Sequence, residues 1–376
     1  LEKKYLYEIN FVRAIACLLV VMVHVGARFY GAYDGSHTTL TNFFNQISRI
    51  GTPLFAVMSG FLLYNQMAKK EFNVHRFLKS RMTKIISPFV VWSLFYLIYS
   101  ASYGTEVFPD FSNSTEVFDF IYMFVTGDSY FHLYFISLVI QFYFLFLLIR
   151  KWMNLKTVTL LTIISFYVNY LFITNEFEFM NSYVTSFINS RTFLLQWIYY
   201  FMLGALLVKL WPYIHQILLK RINQIYALVT GLFVLLFTVL DYHSHQQIIN
   251  SNENILHFIT IPIAFIVLIS LYYQLIFWKN FIMESFIKLG NMSMGIYLIH
   301  PFIIDMYQRY APYDVFAEPF YIIPFHIMVV LICVIVLKVI SLLPYSQYIV
   351  TLVPSNRKNI KYNMDETQTM IKSYTL

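Results

Sequence analysis

Ten apolar stretches, each long enough to cross a bilayer, constrain the fold of this chain more than any other feature. They run at 9–29, 42–66, 83–103, 130–150, 156–174, 192–211, 223–241, 255–275, 286–307 and 321–343. A span needs about 20 mainly apolar residues, and in hydrocarbon only helices and closed barrels satisfy every backbone polar group. Runs of this length predict an all-α integral membrane bundle of about ten transmembrane helices. The interval at 116–126, EVFDFIYMFVT, is too short and acidic to span and is expected at the outer surface. The first run follows Lys3 and Lys4, as a signal peptide would. It carries Arg13 and His24, however, and lacks a small-residue cleavage site, so it reads as a retained span.

Charge placement orients the bundle. Alternating loops on one side hold Lys3 and Lys4, then Lys69, Lys70, Arg76, Lys79, Arg81 and Lys84, and later Lys279 and Lys288. Of the 26 Lys and Arg residues, only Arg28, Arg191 and Arg309 fall on the other side, with Arg13 and Arg49 inside spans. The positive-inside rule then predicts both termini in the cytoplasm. The net charge of +7 is thus a topology signal, and nucleic acid is not an expected partner. Charged residues make up 12% of the chain, against about a quarter in soluble domains, and no interval between spans could hold a soluble domain. The division expected is a transmembrane domain at 1–345 and a polar cytoplasmic tail at 346–376, loosely ordered after Pro354. Cys17 and Cys333 lie inside apolar runs and imply no disulfide framework.

An ionisable group in hydrocarbon costs a few kcal/mol or more, so each one needs a reason to be there. Arg13 and His24 share the first span, about 16 Å apart along the axis and on nearly the same face. Arg13 falls near the inner end, where snorkelling is the plain alternative. His24 falls in the outer third, where the alternative is a packed histidine bonded to a neighbouring helix. Arg49 and His300 reach the same outer third of the second and ninth spans, with His132, Gln196, His257 and His326 near outer ends. No two histidines have close ligand spacing, so no metal is expected.

On the inner side Arg76, Lys79, Arg81 and Lys84 crowd the mouth of the third span. Topology alone accounts for such a cluster, but it is also what a phosphate-bearing donor requires. No nucleotide-binding glycine loop and no glycine-flanked serine nucleophile occurs, and Ser59-Gly60 reads as a small-residue helix contact. No acidic residue lies at mid-membrane, Asp305 being nearest, which weighs against proton-coupled transport.

RAIACLLVVMVH at 13–24 resembles the basic-x10-His motif in the first span of membrane acyltransferase family three. RIGTPLFAVMSGFLLY at 49–64, FLKSRMTKIISP at 77–88, HLYF at 132–135, WIYYFMLG at 197–204 and LGNMSMGIYLIHP at 289–301 are similar to its later signatures, in order and across essentially the whole chain. Lys84 stands where the family has an arginine, losing the bidentate fork, and Tyr134 stands for tryptophan. The hydrolase-like extracellular domain of some relatives is not expected. The chain looks closest to the intercellular-adhesin C type, which serves an extracellular poly-N-acetylglucosamine and is viewed both as an exporter and as an O-acyl or O-succinyl transferase.

The resemblance implies a bacterial plasma-membrane O-acyltransferase. It would move an acyl group, expected to be acetyl, from cytoplasmic acyl-CoA to a hydroxyl of an extracellular or lipid-linked cell-surface glycan. Acyl-CoA is then a donor substrate rather than a resident cofactor, and a glycan synthase complex is a further expected partner. Arg81, Lys84 and Arg13, with Arg76 and Lys79 nearby, would hold the CoA phosphates. His24 would be the general base, Arg49 or a tyrosine an oxyanion donor, and His300 would orient His24 or the sugar. The rivals are a polysaccharide exporter without acyl chemistry, its aromatic interior stacking sugars, and a scaffold for a synthase.

Overall fold

The computed structural model describes residues 6–32, 38–68, 72–104, 108–245, 254–277, 280–311, 314–352 and 357–374. Lys3, Lys4, Lys69, Lys70 and Lys279, which the charge reading places on the inner side, lie outside the described residues. In chain order the helices are α1 (Tyr7–Ala32), α2 (Thr39–Ser48), α3 (Gly51–Asn65), α4 (Val74–Arg81) and α5 (Ser87–Ser102). They continue as α6 (Ser114–Thr126), α7 (Tyr134–Ile149), α8 (Leu155–Thr174), α9 (Ser182–Asn189) and α10 (Ile198–Leu218). The last five are α11 (Arg221–His245), α12 (His257–Leu275), α13 (Asn280–Tyr310), α14 (Ile322–Ile340) and α15 (Arg357–Ser373).

Among the described residues there is no strand, and ten helical segments are long and apolar enough to cross a membrane. The interval at 116–126 falls in α6, a separate helix of 13 residues outside those ten. Asparagine side chains cap α4, α6, α8 and α9 at Asn73, Asn113, Asn154 and Asn181, accepting from the first free N–H groups.

The second span is not the continuous helix expected. It breaks at Arg49–Ile50 into α2 and α3, and the third span begins with a five-residue π-helical turn at Met82–Ile86 between α4 and α5. Such wide turns are uncommon and concentrate at functional sites. The tail is also a correction. Far from being loosely ordered, residues 357–373 form α15, because Ile360, Met364, Thr367 and Ile371 recur at helical spacing and are buried. Gln368 fixes its docking by donating to the Ile276 carbonyl at 2.5 Å.

α1 is the hub, packed against α2, α3, α12, α13 and α14. At the periphery, α11 exposes Leu232, Phe233, Leu236 and Phe237, as a lipid-facing helix does. Between membrane helices association relies on close packing rather than on hydrophobic exclusion, so small residues mark the contacts. Gly60 of α3 and Gly204 of α10 interlock: a Cβ at Gly60 would lie 2.0 Å from the Phe201 carbonyl oxygen, and one at Gly204 2.1 Å from that of Val57. Gly60→Ala must therefore prise two backbones apart. We expect it to cost about 1–3 kcal/mol, read as a lowered melting temperature of the detergent-solubilised protein. An unchanged melting temperature would refute the close contact.

α1 and α13 run side by side in the same direction. Asn10 donates to Asn291 at 2.8 Å and Arg13 to Ser293 at 2.9 Å, while His24 meets His300 further along. This pairing carries one polar stripe from the Arg13 end of the bundle to the His24 end.

Candidate active site

Three of the expected donor residues meet in one cavity. Arg13, Arg81 and Lys84 line a space of about 530 Å³ between α1, α3, α7, α13 and the π-helical turn. Helical spacing builds its walls: Phe55, Met58, Ser59 and Leu62 are one face of α3, continued by its C-cap Gln66, and Phe135, Val139 and Tyr143 are one face of α7. Lys84 is exposed and Gln66 and Ser80 half-buried at one end, whereas Phe135, Ile136 and Tyr297 are buried at the other. The cavity is cationic at its mouth and aromatic at its base.

Arg81 is held for this position. It follows the buried Phe77 by one turn of α4, and its guanidinium lies 5.0 Å from the Phe77 ring and 5.1 Å from that of Tyr143. One Nη donates to Gln66 Oε1 at 3.0 Å, while the buried Nε has no partner among the described residues. An orphaned buried donor of this kind costs about 1–3 kcal/mol, so it points to an acceptor that binds there.

Lys84 sits in the wide turn itself, and Thr351 donates its hydroxyl to the Lys84 carbonyl. Ser87 and Trp92 donate to the carbonyls of Tyr348 and Ile349 at 3.0 and 2.9 Å. Residues 348–351 thus form a strap over the start of α5, and Thr351 joins the cavity wall. Arg76 and Lys79 are not brought to the cavity: they occupy the exposed face of α4, because Phe77 and Arg81 take its buried face.

The other end of the stripe gathers imidazoles. The rings of His24 and His300 are 5.2 Å apart between centroids, and those of His300 and His132 5.6 Å. His300, fully buried, donates from Nδ1 to the Ile296 carbonyl at 3.0 Å. That bond fixes the neutral tautomer and leaves Nε2 as a lone-pair acceptor, which is buried and unpartnered among the described residues. Both ring nitrogens of His132 are likewise buried without a partner there. Tyr297 donates to the His132 carbonyl and also closes the base of the cavity, so the histidine cluster sits directly above the cavity floor.

Arg49 occupies the break between α2 and α3, its Nε donating to Asn45 Oδ1 at 3.0 Å. Asn45 packs on Gly26, and Gly51 packs on the backbone of Ala16 and Val20. Arg49 is therefore set at the level of His24, and its charge is within electrostatic range of that ring. His326 turns away and donates to the Leu18 carbonyl at 2.9 Å, an inter-helix bond. Among the described residues no group of His, Cys, Asp and Glu is arranged to hold a metal ion.

A turn that the sequence reading passed over completes the site. Gly127 ends α6 with φ of 81°, a left-handed conformation that glycine adopts freely, and a Cβ there would lie 2.8 Å from the Leu133 carbonyl oxygen. The chain then folds back through Asp128, Ser129, Tyr130 and Phe131 to His132, and the Phe131 ring rests 4.9 Å from His24. The only prior signal was the HLYF motif that begins at His132.

An acyltransferase-domain family model matches residues 6–338. The chain is 25% identical over 320 residues to a "Probable poly-beta-1,6-N-acetyl-D-glucosamine export protein" of Staphylococcus aureus strain MSSA476, covering 82% of this chain and 85% of the relative. It is 24% identical over 324 residues to a protein of the same description from Staphylococcus epidermidis, covering 82% and 84%. No solved structure matches. With residues 6–338 matched, most of its length, the chain belongs to membrane acyltransferase family three.

Proposed function

We propose that this protein transfers an acyl group, acetyl in the first instance, from acyl-CoA to a hydroxyl of a cell-surface glycan. One observation carries the reading: a single cavity runs from a cationic mouth at Arg13, Arg81 and Lys84 to a floor at Tyr297 beneath the histidine cluster. CoA pairs a phosphorylated head with a long thin arm ending in the thioester. The head fits the mouth, where Arg81 Nε awaits an acceptor, and the arm fits the apolar walls. In this reading the mouth faces the cytoplasm of a bacterial cell, with both termini on that side, and the histidine end faces outward.

In the transfer His24 takes the proton of the glycan hydroxyl as its oxygen attacks the thioester carbonyl. Arg49 holds the oxyanion of the tetrahedral intermediate. Collapse breaks the carbon–sulfur bond, the CoA thiolate receives the proton from His24, and the ester remains on the sugar. Arg76 and Lys79 contribute to the field at the mouth without touching the donor. His300, its tautomer fixed by Ile296, positions the His24 ring.

The relatives' description as export proteins favours a second reading, in which the bundle moves glycan without acyl chemistry. Proteoliposomes containing the protein, loaded with radiolabelled acetyl-CoA and given external glycan, separate the two. We expect label in the glycan. Unlabelled glycan, tested with both acetyl- and succinyl-CoA, would sink the transferase reading.

A further inference from the structure

Beyond the donor cavity there is a second, smaller cleft at the histidine end, of about 330 Å³. Arg28, Arg309, Asp128, Ser129, Tyr130 and Phe131 line it. It lies at the lower end of the roughly 300–1,000 Å³ range of small-ligand sites. The two cavities share no lining residue, and the layer of His24, His132, His300 and Tyr297 stands between them.

The geometry points to this cleft as the acceptor subsite, built for an uncharged sugar residue of the glycan rather than for a phosphate-linked polyol. It rests on the acyl-transfer reading for the direction of the chemistry, but its recognition is argued from its own residues. Phe131 is exposed and offers a flat apolar platform, and its ring neighbours are Tyr130 at 4.8 Å, His24 at 4.9 Å and His132 at 5.5 Å. A pyranose lying on that platform presents its rim hydroxyls beside His24. Arg191 fixes the platform by donating to the Phe131 carbonyl at 3.1 Å.

The rim of the cleft supplies directional polar groups. Ser129 Oγ is buried with no partner among the described residues, a vacancy that a sugar hydroxyl would fill. Asp128 is exposed, with one oxygen already accepting from Thr126 at 2.7 Å.

The guanidiniums would suit an anion if they stood alone, but they do not. Asp305 lies behind them, 3.5 Å from Arg28 and 2.7 Å from Arg309, and also accepts from the Tyr99 hydroxyl. The two guanidiniums that line the cleft are thus matched by two carboxylates, Asp128 in the lining and Asp305 behind it, while a third nearby guanidinium, Arg191, is occupied by the Phe131 carbonyl and held over the Tyr134 ring at 4.4 Å. Arg309 is further immobilised over the Tyr103 ring at 4.0 Å. Planar donors held in place, a carboxylate acceptor and an aromatic face suit hydroxyl-rich neutral rings, while a chain of phosphates would meet Asp128 unfavourably.

The test is binding to the full chain in lipid nanodiscs, without acyl-CoA, so that it does not depend on turnover. The neutral probe is a β-1,6-linked N-acetylglucosamine oligomer, and the anionic probe is a glycerol phosphate oligomer of similar length. We expect the neutral oligomer to bind more tightly, and Phe131→Ala and Asp128→Asn each to weaken it roughly tenfold, with acetyl-CoA affinity unchanged. Asp128 is exposed, so its substitution keeps the test intact should Phe131→Ala fail to fold. Tighter binding of the glycerol phosphate oligomer would overturn the inference. So would neutral binding that neither substitution alters. Label transfer with an unaltered acceptor KM in both variants would overturn the subsite and leave the transferase reading standing.

Discussion

His24→Ala should reduce acyl transfer by about 10²–10⁴-fold in kcat while leaving the KM for acyl-CoA nearly unchanged. The size follows from the role: a base that removes the hydroxyl proton acts in the transition state and adds little to ground-state binding. The split between kcat and KM follows from place, because His24 is not among the residues lining the donor cavity. Its ring instead touches Phe131 on the acceptor side and His300 behind it. Folding is not the obstacle, since His24 is only half-buried and its neighbours are held by their own bonds: His300 by Ile296, Phe131 by Arg191. Label transfer in proteoliposomes gives the rate, and size-exclusion of the solubilised variant verifies the fold. Activity within a factor of a few of the parent would remove His24 from the chemistry. Lost transfer with glycan export intact would separate the acylation reading from the exporter reading in one variant.

Much of this architecture was legible in the sequence because the bilayer admits few solutions. Ten apolar runs became ten membrane-length helical segments among the described residues, since helix length and hydrocarbon thickness fix each other. The depth of a residue in its run also carried over: Arg13 and His24 lie at opposite ends of the polar stripe, and Arg81 and Lys84 share a cavity with Arg13. What stayed hidden depends on local winding or on contacts distant in sequence. The break at Arg49 was signalled only by Gly51 and Pro53, too weakly to overrule a continuous apolar run. The π-helical turn at Met82–Ile86 has no signature of composition, and Thr351 reaches Lys84 across 267 residues. The acceptor cleft was missed for another reason: Asp128, Ser129 and Phe131 lie in a turn, where hydropathy says nothing about what a side chain faces. α15 was readable at Ile360, Met364 and Ile371, but its polar composition masked the stripe.

Arg81→Ala should raise the KM for acetyl-CoA by roughly 10- to 150-fold, the equivalent of losing one charge-assisted hydrogen bond of about 1.5–3 kcal/mol. Of the two cations that α4 and the π-helical turn bring to the mouth, Arg81 is the one whose position is fixed. Phe77, Tyr143 and Gln66 hold its guanidinium, so little rotamer entropy remains to be lost when a phosphate binds. Lys84 is a point charge on a flexible stem at the open edge, and Lys84→Arg should lower KM rather than raise it, because a planar fork can grip two phosphate oxygens. Arg76→Ala and Lys79→Ala should change KM by less than about twofold, since exposed charges act only through a screened field. A shortened donor makes the argument specific. S-acetylpantetheine carries the thioester and the arm but no nucleotide phosphates, so Arg81→Ala should leave its KM where the parent has it. If Arg81→Ala impaired the two donors equally, the guanidinium would be supporting the α4 turn and not holding a phosphate. If it impaired neither, the cationic mouth would be a topology signal and the donor would have to bind elsewhere. Expected instead is a loss confined to the phosphorylated donor, which would assign the head of CoA to the end of the cavity where Arg81 Nε is buried without an acceptor among the described residues.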